Sequence, residues 1–356
     1  MNPGRLAVIA CVMVAFVFPI VAPVLGQEGG TTPQPLTRSE FFVTPPREAP
    51  EKKHYLGPTD EIRTIDEQRG VLSPKGKVTI EPSLKYTLST SNQVAIIGYS
   101  ILPALVIGLI DVRSVDSNSI TGAIALRYGL TDRIELEYRV PYLYRDDTTA
   151  TRDVAGSAQE RVFNANGDGL GDMEASIRYQ LNKPGGPGPF YVGGIRVKAK
   201  NGKDPFEVPI DNNTNLPTEL PVGSGFWGVQ PSVTVIYPSD PVVFFGSANY
   251  LWNVERDIGG KFGKIDPGDS IGVNFGMGFA LNEKTSMSIA YDHSVISSNK
   301  QNGERLSNSK TTHVGNLIFG TSYKLGENTS LGISLGVGVT EAAPDLDFTL
   351  RVPFSL

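Results

Sequence analysis

The last twelve residues, "DLDFTLRVPFSL" (345–356), alternate without a fault between polar and apolar. Leu346, Phe348, Leu350, Val352, Phe354 and Leu356 fall on one side of an extended chain, and Asp345, Asp347, Thr349, Arg351, Pro353 and Ser355 on the other. A strand with one oily and one wet face must bury its hydrogen-bonding edges against neighbours, so this stretch calls for partner strands elsewhere in the chain.

The same period of two runs through the chain from Lys77 onward. "KVTIEPSLKYTLS" sets Val78, Ile80, Leu84, Tyr86 and Leu88 against Lys77, Thr79, Glu81, Ser83 and Lys85. "IELEYRVPYLYR" sets Ile134, Leu136, Tyr138, Val140, Tyr142 and Tyr144 against Glu135, Glu137, Arg139 and Arg145. With "SITGAIALRYGL", "GDMEASIRYQL" and further segments near 190–200, 226–237, 242–253, 270–281, 285–294, 313–324, 330–339 and 346–356, the count is twelve. Helical periodicity is almost absent. The 39 Gly, 26 Pro and 19% charged residues suit strands and turns, and a formal net charge of −5 indicates no nucleic-acid partner.

The connections alternate in length. "GLTDR", "NKPGGPG", "YPSDP", "LNEKT" and "LGENT" are short, whereas polar stretches near 148–167, 203–224, 257–267 and 298–308 are long. Turns on one rim, loops on the other and both ends on the turn side define an all-β transmembrane antiparallel barrel of twelve strands, with periplasmic N- and C-termini. A soluble sandwich also alternates, but it does not predict this rhythm. The uncharged run "VAIIGYSILPALVIGLI" (94–110) contains Gly98, Pro103 and Gly108, which favours an extended excursion over a spanning helix; a further hairpin there would raise the count to fourteen.

Aromatic placement adds the bilayer as a partner. Tyr128, Tyr179, Tyr191, Tyr237, Phe279, Tyr323 and Phe354 fall on the apolar phase near the short turns; Tyr142, Tyr144, Trp227, Tyr250, Trp252, Tyr291 and Phe348 fall near the long loops. Two girdles flanking an aliphatic band match two membrane interfaces. At the other end of the chain, Arg5 precedes the apolar run "LAVIACVMVAFVFPIVAPVLG", so residues 1–26 read as a signal peptide. Cys11 lies within it, and it is the chain's one cysteine, so the exported part has no disulfide to form. Residues 27–76 read as a flexible periplasmic segment or plug, and residues 77–356 as the barrel in the outer membrane of a Gram-negative-type bacterium.

Several phrases, "RYGLTDRIELEYRVPYLYR", "GLGDMEASIRYQL", "GKDPFE", "PSDPVVFFGSANYLWN" and "FGMGFALNEKTSMSIAYDHS", resemble the outer-membrane family named for a MetA pathway of phenol degradation. The resemblance spans roughly residues 70–356. It implies a transporter-like barrel that passes hydrophobic or aromatic small molecules. The final strand also resembles the terminal signal that outer-membrane assembly machinery reads, although it ends on Leu356 with Phe354 as its nearest in-phase aromatic.

No enzyme, cofactor or metal is indicated. "GISLG" (332–336) fits a nucleophile-elbow pattern but sits within one strand. "NANGDGLGD" (164–172) resembles half a calcium loop, yet Ala175 stands where the closing acid belongs. An outer-membrane lipase would need His293 beside a serine, and Ser294 falls on the opposite face. The expected function is an outer-membrane, porin-like channel for small molecules, with a non-conducting structural or adhesive barrel as the rival and the lipase a more remote one. The inward phase carries Glu81, Lys85, Arg127, Glu135, Arg139, Asp172, Glu174, Arg178, Arg196, Lys198, Lys200, Asn274 and Asp292 as lumen-lining candidates. Glu174 is expected opposite Arg196, and Asp172 opposite Lys198. Inward Gly272, Gly276, Gly278, Gly332, Gly336 and Gly338 are expected to leave room along one wall.

Overall fold

The computed structural model describes residues 72–356, apart from 92–93, 98–99, 104–109, 154–159, 183–187, 210–217, 261 and 307–308. The signal peptide expected over 1–26, and most of the segment expected over 27–76, lie outside the described residues. Every regular element among the described residues is a strand.

Twelve strands form the wall: β1 (Val78–Ser91), β2 (Ile110–Thr131), β3 (Ile134–Asp153), β4 (Glu160–Leu170 and Glu174–Gln180), β5 (Phe190–Lys198) and β6 (Gly228–Ser239), then β7 (Val242–Asn253), β8 (Ser270–Ala280), β9 (Thr285–Ile296), β10 (Thr312–Lys324), β11 (Ser330–Gly338) and β12 (Leu346–Arg351 and Phe354–Ser355). Each pairs antiparallel with the next in sequence, and β12 returns to pair with β1 through Leu84↔Leu350 and Ile80↔Phe354. The ring is closed, so the alternating tail is the stave that completes it. Its end is tied by the Leu356 N–H donating to Val78 O at 2.8 Å, which puts the start of β1 and the end of β12 on the turn rim.

The pleat sorts side chains as the period of two requires. On β2, Ile124 is 59% exposed while neighbouring Ala123 and Ala125 are buried; on β3, Tyr138, Tyr142 and Tyr144 are exposed while Glu135 is 1% exposed. Apolar groups turned outward with carboxylates turned inward are the reverse of a soluble protein, and only a hydrocarbon surround makes that arrangement favourable. Members of both girdles, among them Tyr128, Tyr179, Tyr237, Trp227, Tyr250 and Trp252, are exposed on this outer surface.

Three departures from the sequence reading have physical causes. The stretch 94–110 does form a hairpin, Val94–Ile97 with Ser100–Pro103, but its strands pair with each other and not with the wall, so the count is twelve and not fourteen. The region near 148–167 is largely strand, because β3 runs on to Asp153 and β4 begins at Glu160. Its side chains are mostly polar, with no sustained alternation; the backbone ladder persists where no apolar face announces it. Likewise the loops near 257–267 and 298–308 pair into a small sheet of Arg256–Gly259, Gly263–Asp266, Lys300–Gln301 and Glu304–Arg305.

The interruption of β4 has a local explanation. Below it Arg139 pairs with Glu174, and above it Tyr142 pairs with Leu170, which leaves one extra residue on β4. Pro141 lies between, with no N–H to continue the ladder, and its carbonyl accepts Gly171 N–H at 3.0 Å. The bulge turns Asp172 into the barrel.

Candidate functional site: a belt of paired charges on the inner wall

The inward residues of β1 to β7 make a continuous polar belt. Arg127 lies 2.8 Å from Glu81 and 3.0 Å from Glu137; Arg178 lies 3.1 Å from Glu137 and also pairs with Glu135. Further along, Glu174 receives Arg196 at 2.9 Å and Arg139 at 3.7 Å. Arg196 Nε donates to Gln230 Oε1 at 2.7 Å, and Gln230 Nε2 donates to Asn249 Oδ1 at 2.5 Å. On the other flank Lys85 pairs with Asp347 at 3.1 Å. Charges facing a confined interior are costly unless paired, and here each of these cations has a carboxylate within reach.

The expected residues therefore divide. Glu81, Lys85, Arg127, Glu135, Arg139, Glu174, Arg178, Arg196 and Lys198 are placed on inward positions of β1–β5 within this belt, and Asp172 joins it from the bulge. Asn274 and Asp292 form a separate contact on β8 and β9, with Asn274 Nδ2 donating to Asp292 Oδ2 at 3.4 Å. Lys200 lies beyond the end of β5 and is exposed, outside the wall.

The expected register was wrong by two residues. Glu174 stands opposite Lys198, and Ser176 opposite Arg196. Asn182 sets this: its Nδ2 donates to Pro189 O and its Oδ1 accepts Tyr191 N–H, closing the turn two residues later than expected. Both expected ion pairs nevertheless form on the diagonal, which long side chains can span. Glu137, Gln230 and Asn249 also belong to the belt; their inward phase was the available signal.

Asp172 anchors the loop between β5 and β6. Its Oδ1 accepts Gly202 N–H at 3.0 Å, and its Oδ2 accepts Ser224 N–H at 2.8 Å and the Ser224 hydroxyl at 2.5 Å, with Lys198 3.7 Å away. Ser224 is fully buried. Both described legs of the loop thus lie against the inner face of β3–β5, where Arg145 also donates to Pro221 O at 3.4 Å. Val222 and Phe226 pack there with Leu143 and Ile265, joined by Phe206, Ile258 and Phe262. Arg256 pairs with buried Asp204 and donates to Gly225 O at 2.9 Å, tying the Arg256–Gly259 strand to the loop.

The opposite rim is lined differently. Ile236 and Val243 are buried with Phe190 and Phe245 at the turn end of β5–β7. Phe245 takes up room that Gly276 was expected to leave: a Cβ on Gly276 would lie 2.7 Å from its ring and 2.5 Å from Ile289 O. At Gly332, by contrast, the nearest atom to such a Cβ is 3.9 Å away. Leu72 is buried, Ser73 N–H donates to Glu135 Oε2 at 2.6 Å, and a Cβ on Gly129 would lie 2.1 Å from Pro74 O. Residues 72–74 therefore cross the inner face at this rim.

The enzyme-like strings occupy ordinary strand positions. Ser334 is mid-strand in β11, opposite Gly320 and Thr349. Asn164, Asn166 and Asp168 are exposed along β4, and Asp168 accepts the Tyr142 hydroxyl at 2.6 Å; Asp172 faces inward, so these oxygens do not converge. His293 contacts Tyr291 and His313 on the outer face.

An outer membrane channel from Pseudomonas putida F1 is similar with a TM-score of 0.53 at 17% identity, over 80% of this chain and 97% of that one. The translocator domain of the autotransporter NalP from Neisseria meningitidis gives 0.42 at 10% identity, over 82% and 91%. Residues 205–352 match the family described as "Putative MetA-pathway of phenol degradation". The chain is a twelve-stranded outer-membrane β-barrel, with a match to that family over residues 205–352.

Proposed function

We propose that the barrel is a channel for small molecules, with its chain ends on the periplasmic side. The observation that carries this is the access of water to the inward belt. The Lys85 side chain is 43% exposed and that of Arg139 26%, although both point into the barrel. A sealed structural barrel would exclude water from such charges or replace them with apolar packing. The inner face is two-sided, with paired charges on β1–β5 and, elsewhere, Phe190 and Phe245 packed over buried Ile236 and Val243. Such a lining suits small solutes with an apolar body, including aromatic compounds, and the matched family's association with phenol degradation points the same way.

The rival, a non-conducting structural or adhesive barrel, draws on the covered turn rim, where Glu135 is 1% exposed beneath Ser73. Single-channel recording of the refolded protein separates the two. Discrete conductance steps are expected, and their complete absence over a range of voltages would establish the rival.

A further inference from the structure

We propose that His293 and His313 form a binding site for a borderline divalent transition-metal cation, zinc or copper, on the outer surface of the barrel at its loop-side girdle. His293 lies on β9 and His313 on β10, and both point outward, His313 being exposed. His293 Nε2 lies 3.3 Å from His313 Nδ1, with ring centroids 5.6 Å apart. Zinc–nitrogen bonds of about 2.0–2.1 Å at a tetrahedral angle place two ligand nitrogens roughly 3.3–3.4 Å apart. The pair thus already has the spacing that one metal ion would span, in place of the hydrogen the two nitrogens share.

The surroundings orient the rings for this. His293 Nδ1 lies 2.9 Å from the Tyr291 hydroxyl. An oxygen on the far nitrogen is the partner that metal-bound imidazoles regularly have; with the hydroxyl accepting from Nδ1–H, Nε2 is the nitrogen that coordinates. Gly315 faces His293 across the ladder, and a Cβ there would lie 2.7 Å from Tyr291 Oη and 3.2 Å from His293 Nδ1. The missing side chain lets both rings lie over β10 toward His313. Among the described residues no third His, Cys, Asp or Glu joins the pair. The protein supplies two imidazoles, a donor set suited to zinc and copper, and leaves the remaining positions to water.

The test uses the full exported chain, refolded in detergent without a histidine tag. Titration calorimetry with zinc chloride should show one ion bound per chain, with affinity at least tenfold weaker in His293→Ala and in His313→Ala. His54→Ala, which removes the third histidine, should bind as the wild type does. His293→Gln and His313→Gln keep a polar side chain of similar length should an alanine variant fail to fold. Independently, copper(II) added to the wild type should give an electron paramagnetic resonance signal split by two nitrogens. No saturable zinc binding, binding that survives both histidine changes, or a copper signal from oxygen ligands alone would each overturn the proposal. None of these readouts depends on whether the barrel conducts.

Discussion

Arg196 and Glu174 meet at 2.9 Å across a rung they do not share, since the residue facing Glu174 is Lys198. Glu174 also lies 3.7 Å from Arg139, so one carboxylate serves two guanidinium groups. Glu174→Ala removes the carboxylate that the two guanidinium groups share and should make a conducting barrel more anion-selective. Glu174→Ala combined with Arg196→Ala should move selectivity back toward the wild type. Reversal potentials across a salt gradient measure both shifts, and unchanged selectivity would place the solute path elsewhere.

Leu350 and Thr349 test which face meets lipid. Leu350 pairs with Leu84, which is 49% exposed on the outer surface, whereas Thr349 stands opposite Lys85 and Ser334 on the inward phase. Arginine at a lipid-facing midplane position costs about 2–4 kcal/mol. Leu350→Arg should show a loss of that size on refolding into vesicles, and Thr349→Arg a much smaller one. Equal losses would mean that the assigned phase is wrong.

Phe354 is 41% exposed near the end of β12, opposite Ile80. A side chain this exposed contributes little packing within the finished barrel, while an in-phase terminal aromatic is what assembly machinery is expected to read. Phe354→Ala should lower the amount of heat-modifiable protein reaching the outer membrane more than it lowers the stability of refolded protein. Normal amounts in cells would argue against the signal.

Arg256 holds Asp204, whose side chain is 3% exposed. Removing the cation leaves a buried carboxylate short of a partner, a cost of about 1–3 kcal/mol or more for a charged group. Arg256→Ala should therefore free the β5–β6 loop from the Arg256–Gly259 strand while the wall stays intact. Limited proteolysis should cut the variant faster between 199 and 227 without changing its heat-modifiability.

The phase of most wall strands was legible in the sequence, and register was not. A shift by two residues leaves each side chain on its own face, so alternation cannot distinguish Glu174 opposite Arg196 from Glu174 opposite Lys198. The observed register is accompanied by two bonds from one turn residue, Asn182, which alternation does not reveal. The upper halves of β3 and β4 were hidden for a different reason: outside a bilayer both faces are polar, so "RDDTTATRD" carries no alternation although it is laddered. The inner apolar group escaped notice because Phe245 sits in the unbroken apolar run "VVFF", where either phase could face inward.

Pro82 bears on the time before the ring exists. Its carbonyl accepts the Val352 N–H at 3.1 Å, and in an antiparallel pair the nitrogen of the same residue points to the same side. The missing donor of Pro82 therefore lies on the one margin of β1 that stays unpaired until β12 arrives. A stray strand from another chain, sliding along that margin, would meet a gap in its row of donors and stall there. The chain's own tail loses little at that rung, because Val352 supplies the donor and Pro82 needs only to accept. The first strand thus guards itself against misassociation during its passage to the membrane.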